Sequence, residues 1–419
     1  MKILLIGTSD RRGGAAIASF RLFLALKKQF NNAEMLVRDK FSTEEGVIGL
    51  NNTIFRKSFN ISRFIIERIL FIFYMKSKDF LFLFSPANIG QNIIKMQQVK
   101  EADIIHLHWT NQGFLSLKNL EQIFTSKKRI IWTLHDMWVF TGGCHHAGEC
   151  DGYLNKCGKC PLIKGDSIKD LSFRIFKCKE KIFKEADITF VSPSEWLAEK
   201  ARRSSLIGRF NILVIPNPLD IDIFKPGKKL VNRKLFSLPE NKFIILTGSV
   251  NLKTKNKGFK YLIDALKVLS YRKPEIIKHM GLVLFGKSKR IKEPPIDVYP
   301  ISYVKDEKNI VMLYQLADIF ILPSLEENLP NMIMESLSCG TPVIAFKTGG
   351  IPELIEHKSN GYLAEKKNIG ELCDGILWAY ENKDINNIRR NCREKVVKNY
   401  SSKNIAKKYF SLYKSMKQD

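Results

Sequence analysis

Short apolar runs of strand length, alternating with segments of helical periodicity, recur in two series along the chain. The first series lies at 3–6, 104–107, 130–134, 188–191 and 212–215, and the second at 243–246, 281–285, 319–322 and 343–346. A strand covered on both faces reads as a continuous apolar run, and helices placed between such strands make βαβ units and a parallel sheet. Between the series, Pro216-Asn217-Pro218 stops both helix and central strand. The pattern therefore predicts an α/β chain of two Rossmann-like, doubly wound domains, at 1–216 and 237–400, joined by a linker from 216 to about 236. With 419 residues, 45% of them hydrophobic, there is apolar material for two cores. Helices are expected at 16–28, at 258–270 and at 401–416, the last with Ile405, Tyr409, Leu412 and Tyr413 on one stripe.

Charge and hydropathy narrow the class. Lys and Arg number 68 against 42 Asp and Glu, a formal +26, so the surface attracts polyanions such as nucleotides or acidic headgroups. The apolar start at 1–7 gives way at once to Thr8-Ser9-Asp10-Arg11-Arg12, which reads as a first buried strand and not as a secretory signal. In the most apolar window, 59–84, Arg63, Glu67, Arg68, Lys76, Lys78 and Asp79 interrupt every run before the ~20 residues a span requires. That window is read first as a core helix plus strand, with an interfacial helix as the alternative. The expectation is a cytoplasmic chain with reduced cysteines, peripheral to the inner face of the membrane if that alternative holds.

Three motifs carry chemistry. Gly13-Gly14 sits between the first strand and helix, where backbone can approach an anion closely. The spacing is neither G-x-G-x-x-G nor G-x-x-x-x-G-K-[ST], which weakens NAD and ATP as ligands, and a plain tight turn is the alternative. His135 falls at the carboxyl end of a strand, the edge where parallel sheets bind ligands, with Asp136 next to it to orient the ring. The stretch from Pro323 through Glu326-Glu327-Asn328-Leu329-Pro330 to Glu335 places one carboxylate in a loop and a second inside the following helix. Both could accept hydrogen bonds from ligand hydroxyls, with a diphosphate favoured at the helix terminus.

This last stretch, continuing into Cys339-Gly340-Thr341-Pro342-Val343 and Gly349-Gly350-Ile351-Pro352-Glu353, resembles the signature of family 4 glycosyltransferases, which share the GT-B architecture. Ser192-Pro193-Ser194-Glu195-Trp196, Pro216-Asn217-Pro218 and Lys257-Gly258 match as well, so the resemblance covers nearly the whole chain, least between 30 and 100. Within the family, Leu134-His135-Asp136 and the cysteine-rich loop look most similar to colanic-acid and O-antigen transferases. The resemblance implies two domains facing across a cleft and a last helix, 401–419, crossing back to the first domain. It implies that Glu335 binds the ribose and Glu327 the donor sugar, that His135 touches that sugar, and that Gly13-Gly14 face diphosphate and acceptor. Backbone amides of Asn328 and Leu329 would lie near sugar and phosphate, and Lys257 would neutralise the leaving diphosphate. The family's arginine six positions earlier is Asn251 here, so Lys253 or Lys255 is left to supply that charge.

The reaction implied is retaining transfer from a UDP- or GDP-sugar to a glycan or lipid-linked acceptor in surface polysaccharide synthesis. Cationic side chains and a helix terminus stabilise the diphosphate as it departs, so no cofactor is required for catalysis. Separately, Cys144, Cys150, Cys157 and Cys160 fall within seventeen positions in the loop 144–161, a density that points to a structural zinc site, with His145 or His146 as substitutes. A nucleic-acid-binding protein fits the charge alone, but the cations form no aromatic-interleaved stripe, and no specific nucleic acid is expected. An epimerase of the same fold, or a catalytically silent partner subunit suggested by Asn251, are the other readings.

Overall fold

The computed structural model describes residues 1–31, 33–251, 254–287, 294–301, 304, 306–383 and 386–418. Two compact units are formed, one from 1–218 with 403–419 and one from 219–402. The helices that bear on function are α1 (Gly14–Phe30), α2 (Ile54–Ile72), α3 (Phe259–Arg272), α4 (Glu307–Leu316), α5 (Asn331–Ser338) and α6 (Ser402–Gln418).

The first unit holds β1 (Ile3–Ser9), β2 (Ala33–Asp39), β3 (Val47–Gly49), β4 (Ile104–Leu107), β5 (Arg129–Thr133), β6 (Ile188–Ser192) and β7 (Ile212–Val214), in the order β3-β2-β1-β4-β5-β6-β7. The second holds β8 (Phe243–Asn251), β9 (Met280–Lys287), β10 (Asp297–Ile301), β11 (Ile319–Leu322), β12 (Val343–Phe346) and β13 (Gly361–Ala364), in the order β10-β9-β8-β11-β12-β13. Neighbouring strands run parallel throughout, β1 with β4 and β8 with β11 among them. Successive side chains of a strand face opposite sides. Accordingly Leu4 and Ile6 enter one core while Ile3 and Leu5 enter another, and Ile244 and Leu246 are divided in the same way from Phe243 and Ile245. Each sheet is thus covered on both faces, which is why its central strands are apolar without interruption.

The strands β2, β3, β10 and β13 have no such run. Three of these are sheet edges, where fewer apolar neighbours are demanded and Pro300 of β10 leaves no central ladder bond unmade. In α6, Ile405, Tyr409 and Tyr413 are buried in the core of the first unit, and Phe410 stacks on Phe30 of α1 with ring centroids 3.7 Å apart.

The 59–84 window departs from its expected core role. It forms most of α2 and then only isolated bridges, Met75 with Ile163 and Phe84 with Cys144, in place of a strand. The buried residues of α2 are Asn60, Glu67, Arg68 and Phe71. Its buried charges are paired inside: Arg68 pairs with Glu67 at 2.9 Å and donates to the carbonyls of Leu81 and Phe84 at 2.6 and 2.9 Å, leaving Glu67 Oε2 and Arg68 Nε without a partner among the described residues. The large apolar side chains face out, Phe55 at 80% and Phe73 at 71% exposure. Among the described residues no helix is long and apolar enough to cross a membrane.

Candidate functional site

In the second unit the strand order reverses between β8 and β11, and the crevice outside the carboxyl ends of such strands is where open α/β sheets take ligands. Three segments meet there. A single turn of 3-10 helix, Lys255–Lys257, follows β8; the loop 323–330 follows β11; and 347–350 follows β12. The amide of Leu325 donates to the carbonyl of Asn256 at 2.8 Å, the Thr348 hydroxyl donates to the Leu325 carbonyl at 3.0 Å, and the Gly350 amide donates to the Asn328 carbonyl at 2.9 Å. Two glycines permit this closeness. A Cβ on Gly258 would stand 1.7 Å from the Pro323 carbonyl oxygen, and one on Gly349 only 1.6 Å from that of Glu327, with φ of +66° and +57°. The middle loop is therefore clamped from both sides by backbone.

The clamp sets Glu327 against Lys257, whose Nζ donates to Oε1 at 2.6 Å. Glu327 is 16% exposed and Lys257 38%, so both reach solvent. Pro330 stands at the cap position just before α5. Glu335 is buried within the helix and accepts a 3.0 Å hydrogen bond from the Tyr314 hydroxyl of α4. Asn328 and Leu329 are buried in the clamped loop. Nearby at the strand ends, the buried hydroxyls of Ser249 and Ser324 have no partner among the described residues. Asn251 ends β8, and Lys253 lies outside the described residues. Lys257, Glu327, Asn328, Leu329 and Glu335 are thus gathered on one edge of one sheet.

His135, Gly13 and Gly14 belong to the first unit. Gly13 caps α1 after β1 with φ +98°, Gly14 begins the helix, and His135 follows β5. The ring of His135 meets a second imidazole. Its Nε2 lies 3.0 Å from Nδ1 of His108, and the His108 ring packs on His106 with centroids 4.2 Å apart and planes tilted by 34°. His106 in turn meets the Tyr413 hydroxyl through Nδ1 and the Thr133 hydroxyl through Nε2, both at 2.8 Å, and Thr133 reaches Tyr409 at 3.1 Å. A chain of three imidazoles in contact therefore runs from α6 to His135. Burial holds all three rings neutral, pulling His135 down to about 4 and His106 to about 3, with His108 also well below the ordinary value.

Asp136 is committed elsewhere. Its Oδ2 accepts from the Trp109 indole at 2.9 Å and faces His145 Nδ1 at 2.7 Å, while Oδ1 accepts from the Trp138 amide at 2.8 Å. Burial alone would push this carboxyl up, but His145 and the Trp138 amide outweigh it and hold the group near about 2. His106 and His108 were legible in Ile104-Ile105-His106-Leu107-His108-Trp109 as two imidazoles on one face of a strand. Reading that segment only as an apolar run misses them.

The expected zinc site does not form. Among the described residues no three of His, Cys, Asp and Glu come together so as to hold a metal ion, and all eight cysteines are free. Cys157 receives the Gly142 amide at 3.2 Å, and His145, offered as a substitute ligand, is held between Asp136 and the Ser85 hydroxyl at 2.9 Å. Burial pushes the Cys157 thiol up to about 12 and that of Cys160 to about 11, and raises Cys144 further.

Comparison with known proteins gives a family match and a fold. Residues 230–399 match the family described as "Glycosyl transferases group 1". The chain is 30% identical over 168 residues to an uncharacterized glycosyltransferase of Haemophilus influenzae, covering 39% of this chain and 46% of that protein. It is 24% identical over 285 residues to WcaC of Escherichia coli, a putative colanic acid biosynthesis glycosyl transferase, covering 64% and 65%. The chain thus spans less than two thirds of the length of either relative. Among solved structures, Anabaena HepE in complex with UDP-glucose superposes with a TM-score of 0.65 at 17% identity, covering 99% of this chain and 100% of that one. The shared architecture is the GT-B fold.

Proposed function

Residues 230–399 of this chain belong to the glycosyl transferases group 1 family, and from that premise we propose that the protein transfers a sugar, with retention of configuration, from a nucleotide-sugar donor to a glycan or lipid-linked acceptor in surface polysaccharide synthesis. The observation that carries this reading is the backbone clamp that sets Glu327 against Lys257 beside buried Glu335 at the carboxyl edge of β8 and β11. Glu335 accepts the ribose hydroxyls and Glu327 those of the sugar. Lys257 transfers its ammonium to the diphosphate, where charge grows as the glycosidic bond breaks. The bond from the anomeric carbon to the phosphate oxygen opens while the acceptor oxygen attacks from the same face, and the acceptor proton passes to the departing phosphate.

Gly13 and Gly14 offer a helix terminus to diphosphate and acceptor, and neutral His135 offers a hydrogen bond to a sugar hydroxyl. The UDP-glucose bound by HepE supports the nucleotide-sugar class, and WcaC supports a polysaccharide acceptor. An enzyme on such acceptors works in the cytoplasm, in peripheral contact with an anionic membrane surface.

The test is a thermal-shift panel of UDP-, GDP-, ADP- and dTDP-sugars on wild type and Glu335→Ala, because selective binding to the folded state raises its stability. One nucleotide class is expected to stabilise wild type and to lose its effect in the variant. Equal shifts in the two proteins would remove Glu335 from the donor site. With the donor known, a product of inverted anomeric configuration would refute retention.

A further inference from the structure

The apolar side chains of α2 lie on the wrong side for a helix that serves a core. Phe55, Phe59, Ile66, Ile69 and Leu70 of α2 and Phe73 just past its end are exposed, between 42% and 80%, and at 100° per residue they fall within an arc of about 100°, which the exposed Ile54, Ile61, Ile65 and Ile72 widen to about half of the helix surface. Isolated exposed apolar residues are ordinary, whereas a contiguous row marks a surface that something covers. The only acid of the helix, Glu67, is buried against Arg68, so the ionised groups left towards solvent, Arg56, Lys57 and Arg63, are all cations.

Arg56 and Arg63 stand two turns apart along one margin of the apolar arc. Between and beside them opens a cavity of about 250 Å³, lined also by Phe59, Asn60, Gln91 and Asn92. Arg63 donates to Asn60 at 2.8 Å and Gln91 at 3.4 Å, and Arg56 donates to Asn52 at 3.1 Å. Neither arginine pairs with a carboxylate among the described residues. Each keeps further N–H donors for an oxyanion.

We propose that α2 is a membrane-docking helix, its apolar arc inserting among acyl chains while the Arg56–Arg63 cavity takes the phosphate of an anionic lipid headgroup. The polarity suits this occupant: an apolar stripe bordered by cations is what an anionic interface recognises, and a net charge of +26 adds long-range attraction. A second copy of this chain would bring more cations to a patch with no exposed carboxylate to meet them. The inference deepens the peripheral contact proposed above and is read out separately from donor binding.

The experiment is co-sedimentation of the full chain with phosphatidylcholine vesicles, with or without phosphatidylglycerol. Wild type is expected to bind the anionic vesicles and to be released by salt. Phe55→Ser with Phe73→Ser should lower partition at least tenfold at either lipid composition. Arg56→Gln and Arg63→Gln should each cost about fivefold on anionic vesicles only, the factor equivalent to about 1 kcal/mol per cation. All variants should keep the thermal shift produced by the nucleotide sugar, which distinguishes failure of docking from failure of the donor site. Three results would overturn the proposal: wild-type binding indifferent to phosphatidylglycerol, a concentration-dependent dimer abolished by Phe55→Ser, or stabilisation by inorganic phosphate without vesicle binding.

Discussion

The ammonium of Lys257 and the carboxylate of Glu327 meet at 2.6 Å, so the cation proposed to receive the departing diphosphate is already held by the residue proposed to receive the sugar. Donor binding then exchanges partners: sugar hydroxyls take over the carboxylate and phosphate takes over the ammonium. Because the lysine acts on charge that develops in the transition state, Lys257→Met should lower kcat by about 10²- to 10³-fold, with a smaller change in donor affinity. Lys257→Arg keeps the charge and should recover part of the loss. Steady-state kinetics with the stabilising donor checks both, and a Lys257→Met enzyme with wild-type kcat would exclude the lysine from the mechanism.

The clamp predicts an effect for side chains that touch no ligand. Gly349→Ala would drive a methyl into the Glu327 carbonyl, and Gly258→Ala one into that of Pro323, each from a left-handed backbone. Strain of this kind costs about 1–3 kcal/mol and must be relieved by moving the loop. Each variant should therefore weaken donor binding more than it lowers the Tm, as read by calorimetry and donor titration on the same sample. An unchanged donor affinity would mean that the loop position does not matter.

The imidazole chain predicts how stability depends on pH. His135 titrates near about 4 and His106 near about 3 in the folded protein, against an ordinary value of 6.5. Between pH 6.5 and 4 the unfolded chain binds protons that the folded chain refuses. Stability is thus fully present above pH 6.5 and falls as pH drops, by about 1.4 kcal/mol per pH unit for each imidazole. Urea unfolding at pH 7 and pH 5 measures the difference, and equal midpoints would contradict buried neutral rings. Tyr413→Phe, which removes the hydroxyl 2.8 Å from His106 Nδ1, should cost about 1–3 kcal/mol at both values and leave the pH slope in place.

Much of the architecture is written locally. A strand buried on both faces is built mostly from an apolar run, so 319–322 announces itself without knowledge of its neighbours. Edge strands such as β10 need no such run and leave no comparable signal. The loop bearing Glu327 and the glycines about it were legible for a related reason, since a turn against neighbouring backbone admits few residue types.

What the sequence by itself determined is therefore the pair of wound sheets and the chemistry at the ends of their strands. Contacts between separate segments were decided only by tertiary structure. His135 meets His108, while Trp109, Trp138 and His145 converge on Asp136. Periodicity likewise gave α2 an apolar stripe but not its direction, which follows from where Glu67 and Arg68 find partners inside. Spacing brought four cysteines close in the chain, yet ligand geometry is a matter of convergence in space, and among the described residues no metal-holding group of them is found.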